Sequence, residues 1–198
     1  MPRIRSGQVG SGMGANATAS QGGCAELDKQ NNGNILVVRD VCKRFGGVVA
    51  LDHVSLEVPR GGVYGIVGEN GAGKSTLMKI LSGVYIKDEG TVIFNDKVVE
   101  RTTPFDALKN GLSIIYQEFN LVNTMTVGEN IFLGRFREVG GMRGTHRRAR
   151  ALLDSIGSTI DTYATVGSLS ASEMQMVEIT KALSFDSKLI IMDEPSSS

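Results

Sequence analysis

The sequence predicts an α/β fold organised around an anion-binding strand–loop–helix unit. Three observations carry that expectation. The stretch Gly68-Glu69-Asn70-Gly71-Ala72-Gly73-Lys74-Ser75-Thr76 fits the spacing G-x-x-x-x-G-K-[ST] and adds a second hydroxyl. Its flanks have the right character. Val63-Tyr64-Gly65-Ile66-Val67, apolar and partly β-branched, reads as a buried strand before it, and Leu77, Met78, Ile80 and Leu81 recur at helical spacing after it. Further on, the apolar run Leu189-Ile190-Ile191-Met192 reads as a central strand that ends in two adjacent acids, Asp193 and Glu194.

These residue types suit phosphate chemistry. Glycines let the backbone bend so that several N–H groups converge on one anion, and Lys74 adds a mobile point charge. Ser75 offers a hydroxyl to a magnesium ion, and the helix N-terminus faces the phosphates. In an open α/β sheet, ligands bind at the carboxyl ends of the strands, where Asp193 and Glu194 are expected. That places them beside the phosphate loop if both strands belong to one parallel sheet. Alternation along a strand points the two acids in different directions. Asp193 would hold hydrated magnesium, and Glu194 would orient or deprotonate the water attacking a γ-phosphate.

Composition narrows the alternatives. Lysine plus arginine equals aspartate plus glutamate at 21 each, and the chain lacks blocks of like charge, so no polyanion-binding surface is expected. Cys24 and Cys42 show no metal-ligand spacing and no histidine close by in sequence, which reads as a reduced protein with incidental thiols. No apolar run approaches membrane-spanning length, so membrane contact is expected to go through a partner. The basic opening Met1-Pro2-Arg3-Ile4-Arg5 is followed by no hydrophobic stretch, unlike a secretory signal. Residues 1–33 are rich in Gly, Ser, Ala, Asn and Gln, and are expected to form a disordered tail.

Structure is expected from Asn34 onward. Ile35–Val38 and Val54–Val58 read as strands, and Pro59-Arg60-Gly61-Gly62 as the turn into the phosphate-loop strand. Between the first two strands, Lys43-Arg44-Phe45-Gly46-Gly47 reads as a loop. Its aromatic is either a core anchor or an exposed stacking platform, and position alone favours the core. Thr91–Asn95 is a further strand, Thr103-Pro104 starts a short helix, and Ser113–Tyr116 is a buried strand ending at Gln117-Glu118. Thr126-Val127-Gly128-Glu129 and Ser170-Ala171-Ser172-Glu173 have the form of capping boxes, each opening a helix. Between them a helix over Thr145–Ile156 buries Ala149, Leu152, Leu153 and Ile156 and stops at Gly157. Its arginines Arg147, Arg148 and Arg150 read as a solvated face.

The order phosphate loop, Tyr116-Gln117-Glu118, Leu169–Glu173 and Leu189–Glu194 resembles the nucleotide-binding domain of an ABC transporter, from Ile35 to Ser198. Val67–Tyr85, Ile114–Glu118, Gly128–Arg135 and Gln175–Ile179 are similar to the ATP-binding subunits of bacterial sugar importers, which serve ribose, galactose, xylose and similar sugars. The resemblance implies a P-loop NTPase core with an antiparallel β subdomain and a helical subdomain, the latter at about residues 118–168. It implies ATP and Mg2+ as ligands, with Gly68 to Thr76 around the phosphates. Phe45 matches the aromatic that stacks on adenine, which reverses the preference for the core. Gln117 matches the glutamine that touches magnesium and water and senses the transmembrane partner. Ser170 matches the signature serine, which contacts the γ-phosphate bound to an opposite domain. The implied catalytic set is Glu194, Gln117 and Lys74, and the implied metal set Ser75, Gln117 and Asp193. Transmembrane permease subunits and a second nucleotide-binding domain are the implied partners, with a cytoplasmic place on the inner face of the plasma membrane.

Two departures from the family pattern stand out. The signature usually reads LSGGQ, whereas Ala171, Ser172 and Glu173 follow Ser170 here. A carboxylate at position 173 repels a γ-phosphate unless it turns back onto its own capping hydrogen bond. Family members also continue past the Asp-Glu-Pro motif into a further strand and a phosphate-holding histidine, which neither His53 nor His146 can match. The expectation is therefore a domain incomplete at its C-terminus. Alone, it would bind ATP weakly and hydrolyse it negligibly. The alternative is an inactive nucleotide-binding fragment. A GTPase is disfavoured because no N-K-x-D motif follows the loop.

Overall fold

In the computed structural model, residues 5–6 and 33–193 are described. The expected disordered tail lies outside them except for Gly33 and β1 (Arg5–Ser6), which pairs antiparallel with β4 (Ile66–Val67). Glu194 also lies outside. The chain divides into two compact units, at residues 1–103 and 104–198.

The first unit is built on an antiparallel sheet of order β3-β2-β5-β6, comprising β2 (Asn34–Phe45), β3 (Val48–Pro59), β5 (Glu89–Phe94) and β6 (Lys97–Val98). β2 has neighbours on both edges, and its run Ile35–Val38 is buried without alternation, as a strand covered on both faces should be. Both β2 and β3 are longer than the apolar pattern suggests. Lys43, Arg44 and Phe45, expected in a loop, continue β2, and the hairpin turns on Gly46-Gly47 alone, with Gly46 at φ 55. The charged ends of Lys43 and Arg44 are carried by Asp88 and Glu89 at the start of β5, each at 2.7 Å. Cross-strand pairing thus extends the ladder through residues that read as loop.

Within the same unit, α1 (Lys74–Leu81) buries Leu77, Met78, Ile80 and Leu81, as their spacing requires. The strand before it departs from expectation. Only Ile66–Val67 pair, and Val63 and Val67 are fully and 72 % exposed. The strand's partner among the described residues is another two-residue strand, β1, and of its own two residues Ile66 is half-buried and Val67 exposed.

The second unit starts with α2 (Pro104–Lys109) and β7 (Leu112–Ile115), and ends with β8 (Leu189–Met192), which pairs parallel to β7. β8 was expected to be central. Among the described residues it is half of a two-stranded sheet, and its residues are half-buried or exposed. The chain between the strands forms α3 (Val127–Ile131), α4 (Gly141–Ser155), a 3-10 turn at Val166–Ser168 and α5 (Ala171–Leu183). Val127, Ile131, Phe132, Ala149, Leu153, Val166 and Val177 make their shared core. α5, beyond the expected bounds of about 118–168, contributes Val177 to the same core. α4 begins four residues before the expected start, from a left-handed Gly140 at φ 86. Gly144 permits that entry, because any Cβ there would overlap the Val139 carbonyl. Of the three arginines on α4, Arg150 is not simply solvated. It binds Asp154 and the carbonyls of Ser158 and Ile160, tying down the loop after the helix.

Candidate functional site

In the first unit, the whole stretch Gly68–Thr76 forms one loop-to-helix turn. Gly71 and Gly73 sit at φ 83 and 90, conformations that L side chains rarely adopt. A Cβ on Gly73 would lie 2.5 Å from the Ala50 carbonyl oxygen and 2.7 Å from Leu51 Cδ2, so β3 presses directly on the loop. The Ala72 N–H closes a turn onto the Glu69 carbonyl at 3.1 Å. α1 opens at Gly73 with no side-chain cap and no acid in its first turn. Its first N–H groups and the positive end of its dipole therefore go uncancelled by protein side chains, as an anion site requires. Lys74 Nζ curls back and donates to the Gly68 and Glu69 carbonyls at 2.7 and 3.0 Å, which keeps the ammonium over the loop. The donor set of glycine N–H groups, a lysine and the Ser75 and Thr76 hydroxyls fits a nucleotide phosphate chain.

Phe45 is 41 % exposed, at the end of β2. It makes an edge contact with Tyr85, with ring centroids 5.0 Å apart, and Lys43 Nζ lies 5.2 Å from its centroid. Tyr85 is in turn anchored to the end of α1, its N–H donating to the Lys79 carbonyl at 2.9 Å. The ring is thus exposed and not a core anchor, contrary to the reading from position alone.

The second unit brings two predicted residues to one edge. Parallel pairing aligns Ile115 with Met192, and the Asp193 N–H donates to the Ile115 carbonyl at 3.0 Å. Gln117 and Asp193 therefore both leave the carboxyl ends of paired strands, Gln117 exposed and Asp193 half-buried. Ser170 stands apart from them as the N-cap of α5. Its N–H and its hydroxyl both donate to Glu173 Oε2, at 2.8 and 2.7 Å, and the Glu173 N–H returns a bond to Ser170 Oγ at 3.4 Å. These donations, backbone first, hold the Glu173 carboxyl below its usual range. The Thr126–Glu129 box at α3 is built the same way, and Glu129 is shifted in the same direction by its bonds from Thr126.

One cluster was missed by sequence reasoning. Cys42, which has no histidine near it in sequence, receives a hydrogen bond on Sγ from the His53 N–H at 3.3 Å.

Comparison with known proteins decides the family. The model of the family described as ABC transporter matches residues 51–197. The chain belongs to the ABC transporter family. Its fold agrees. The crystal structure of the ADP conformation of MJ1267, an ATP-binding cassette of an ABC transporter, superposes with a TM-score of 0.71 at 29 % identity, over 83 % of this chain and 70 % of that one. The expected P-loop NTPase core with antiparallel β and helical parts is thus the fold of an ABC ATPase. Among curated relatives, the galactose/methyl galactoside import ATP-binding protein MglA of Pasteurella multocida (strain Pm70) is 44 % identical over 176 residues, which is 87 % of this chain and 35 % of that protein. Its counterpart in Escherichia coli (strain K12) is 44 % identical over 167 residues, 83 % of this chain and 33 % of that protein. The chain spans about a third of the length of these relatives. An ABC ATPase domain implies nucleotide binding, and ATP-binding subunits of ABC importers work with membrane permeases. No helix among the described residues is long and apolar enough to cross a membrane.

Proposed function

We propose that the chain belongs to an ATP-binding subunit of an ABC sugar importer, one that couples MgATP hydrolysis to transport. The observation that carries this reading is the Gly68–Thr76 turn. It offers an uncapped helix N-terminus, two left-handed glycines and a lysine held over the loop, and relatives 44 % identical to the chain are named as galactose/methyl galactoside import ATP-binding proteins. Gly68, Glu69, Asn70, Gly71, Ala72, Gly73, Lys74, Ser75 and Thr76 would surround the phosphates, and Phe45 would receive the adenine ring on its exposed face. Ser75, Gln117 and Asp193 would hold Mg2+, which when bound neutralises charge on the phosphates. Glu194 would take the proton of the attacking water, with Gln117 orienting that water and Lys74 stabilising charge on the phosphoryl oxygens. Ser170 would meet the γ-phosphate of nucleotide held by a second nucleotide-binding domain. Permease subunits would carry the complex on the inner face of the membrane.

The test is sugar uptake by cells of the source organism carrying Lys74→Ala. Uptake of at least one pentose or hexose should fall while the level of the chain holds. Unchanged uptake of every such sugar would overturn the importer reading.

A second reading concerns the chain by itself, and the exposed Val63 and Val67 of the phosphate-loop strand favour it. A strand so poorly covered gives the loop less support on its N-terminal side, and phosphoryl transfer relies on preorganisation. The isolated chain would then bind ATP weakly and turn it over negligibly. ATP turnover by it that disappears on Glu194→Gln would contradict this.

A further inference from the structure

The register of the β2–β3 hairpin slips at one point. Val41 pairs with Val54 and Lys43 with Leu51, so Cys42 on β2 faces two residues, Asp52 and His53, on β3. Such a bulge re-aims side chains that regular alternation would send to opposite faces. His53 takes the left-handed conformation that accommodates it, at φ 46. The result is that Cys42 Sγ, a carboxylate oxygen of Asp52 and an imidazole nitrogen of His53 all lie within 4.8 Å of one another.

We propose that this bulge is a binding site for a borderline-soft divalent cation, Zn2+ in the first instance, ligated by Cys42, Asp52 and His53. The mixed sulfur, nitrogen and oxygen set suits zinc and not magnesium or calcium, which take oxygen donors. Around a tetrahedral zinc, with bonds of about 2.3 Å to sulfur and about 2.0 Å to nitrogen or oxygen, donor atoms stand roughly 3.5 Å apart. Rotation of two side chains closes the remaining gap. Asp52 and His53 are exposed and able to rotate, whereas Cys42 is fully buried and fixed. Three protein ligands leave a fourth position for water. The His53 N–H already donates to the sulfur at 3.3 Å, which fixes the position of Sγ beside the His53 backbone. The thiol is now directed to the Asp40 carbonyl at 3.8 Å. On metal binding the S–H bond breaks, its proton goes to solvent and the sulfur's electron pair forms the bond to the cation. Neighbouring charge does not oppose the cation, since Glu89 pairs with Cys42 across the other edge of β2 while balancing Arg44.

The experiment is a Co2+ titration of the nucleotide-free full chain followed in the visible and near ultraviolet, then displacement by Zn2+. One equivalent of Co2+ should give tetrahedral d–d bands and a thiolate-to-cobalt charge-transfer band, both removed by Zn2+. Cys42→Ser should abolish the charge-transfer band. His53→Ala, checked for an unchanged fold because its backbone is left-handed at φ 46, should weaken binding about tenfold or more. Cys24→Ser should leave spectrum and affinity unchanged. Absence of the charge-transfer band would overturn the proposal. So would its survival in Cys42→Ser, its loss in Cys24→Ser, or unchanged affinity in His53→Ala.

Discussion

Glu173 Oε2 accepts both the N–H and the hydroxyl of Ser170, so the carboxylate at the unusual signature position is turned back onto its own helix cap. This answers the concern that a charge there would face a γ-phosphate, and it creates a different one. The Ser170 hydroxyl is already engaged by a charged acceptor, and hydrogen bonds to charged groups are stronger than neutral ones. A phosphate that claims the hydroxyl has to displace it. Glu173→Gln keeps the cap with a weaker acceptor and should tighten ATP-driven association of two chains. Sedimentation with and without ATP measures this, and equal association of the two forms would remove the effect.

Both capping boxes should respond to acid. Glu129 and Glu173 are held below their usual 4.5 by hydrogen bonds to the ionised carboxyl. A depressed carboxyl stabilises the fold above its unfolded value and stops doing so as pH falls through the folded one. The helical signal of the chain should therefore begin to weaken below about pH 4.5, and the double variant Glu129→Gln, Glu173→Gln should flatten that slope. Circular dichroism against pH reads it directly. A slope identical to that of the parent chain would contradict the assignment.

Gly73 is the loop position least able to take a side chain. Its φ of 90 and the Ala50 oxygen 2.5 Å from a built Cβ predict that Gly73→Ala destabilises the fold by about 2 kcal/mol or more. Gly71, at φ 83 with open space around it, should lose less on the same substitution. Urea titrations of the two variants would show the ranking, and a reversed order would refute it.

Phe45 stands out from its strand as an exposed ring supported by Tyr85. If it receives a base, Phe45→Ala should weaken binding of ATP about tenfold while leaving inorganic triphosphate unaffected, and Phe45→Trp should keep the affinity. Stacking acts on the base alone, so equal losses for both ligands would point to a disturbed loop instead.

What the sequence made legible was mostly local. The two capping boxes are spelled by four-residue patterns, and Thr126–Glu129 and Ser170–Glu173 fold accordingly. The phosphate loop is similarly self-contained, since its glycines and the apolar face of α1 follow from short spacing. Long-range pairing was less legible. Lys43 to Phe45 read as loop because the charge partners of Lys43 and Arg44, Asp88 and Glu89, come from 45 residues further along the chain. The meeting of Cys42 with His53 depends on a bulge that residue spacing does not announce. The exposure of Val63 and Val67 was illegible for the opposite reason, because an apolar run says what should be buried and not whether a neighbour is present to bury it.

The measurement that bears most directly on the central claim is equilibrium binding of MgATP to the parent chain and to Lys74→Ala, followed by competition with a fluorescent ATP analogue. The phosphate-loop assignment predicts saturable one-to-one binding that weakens about tenfold or more when Lys74 loses its charge, with the fold unchanged. Equal affinity in the two chains would mean that nucleotide is not held by Gly68–Thr76.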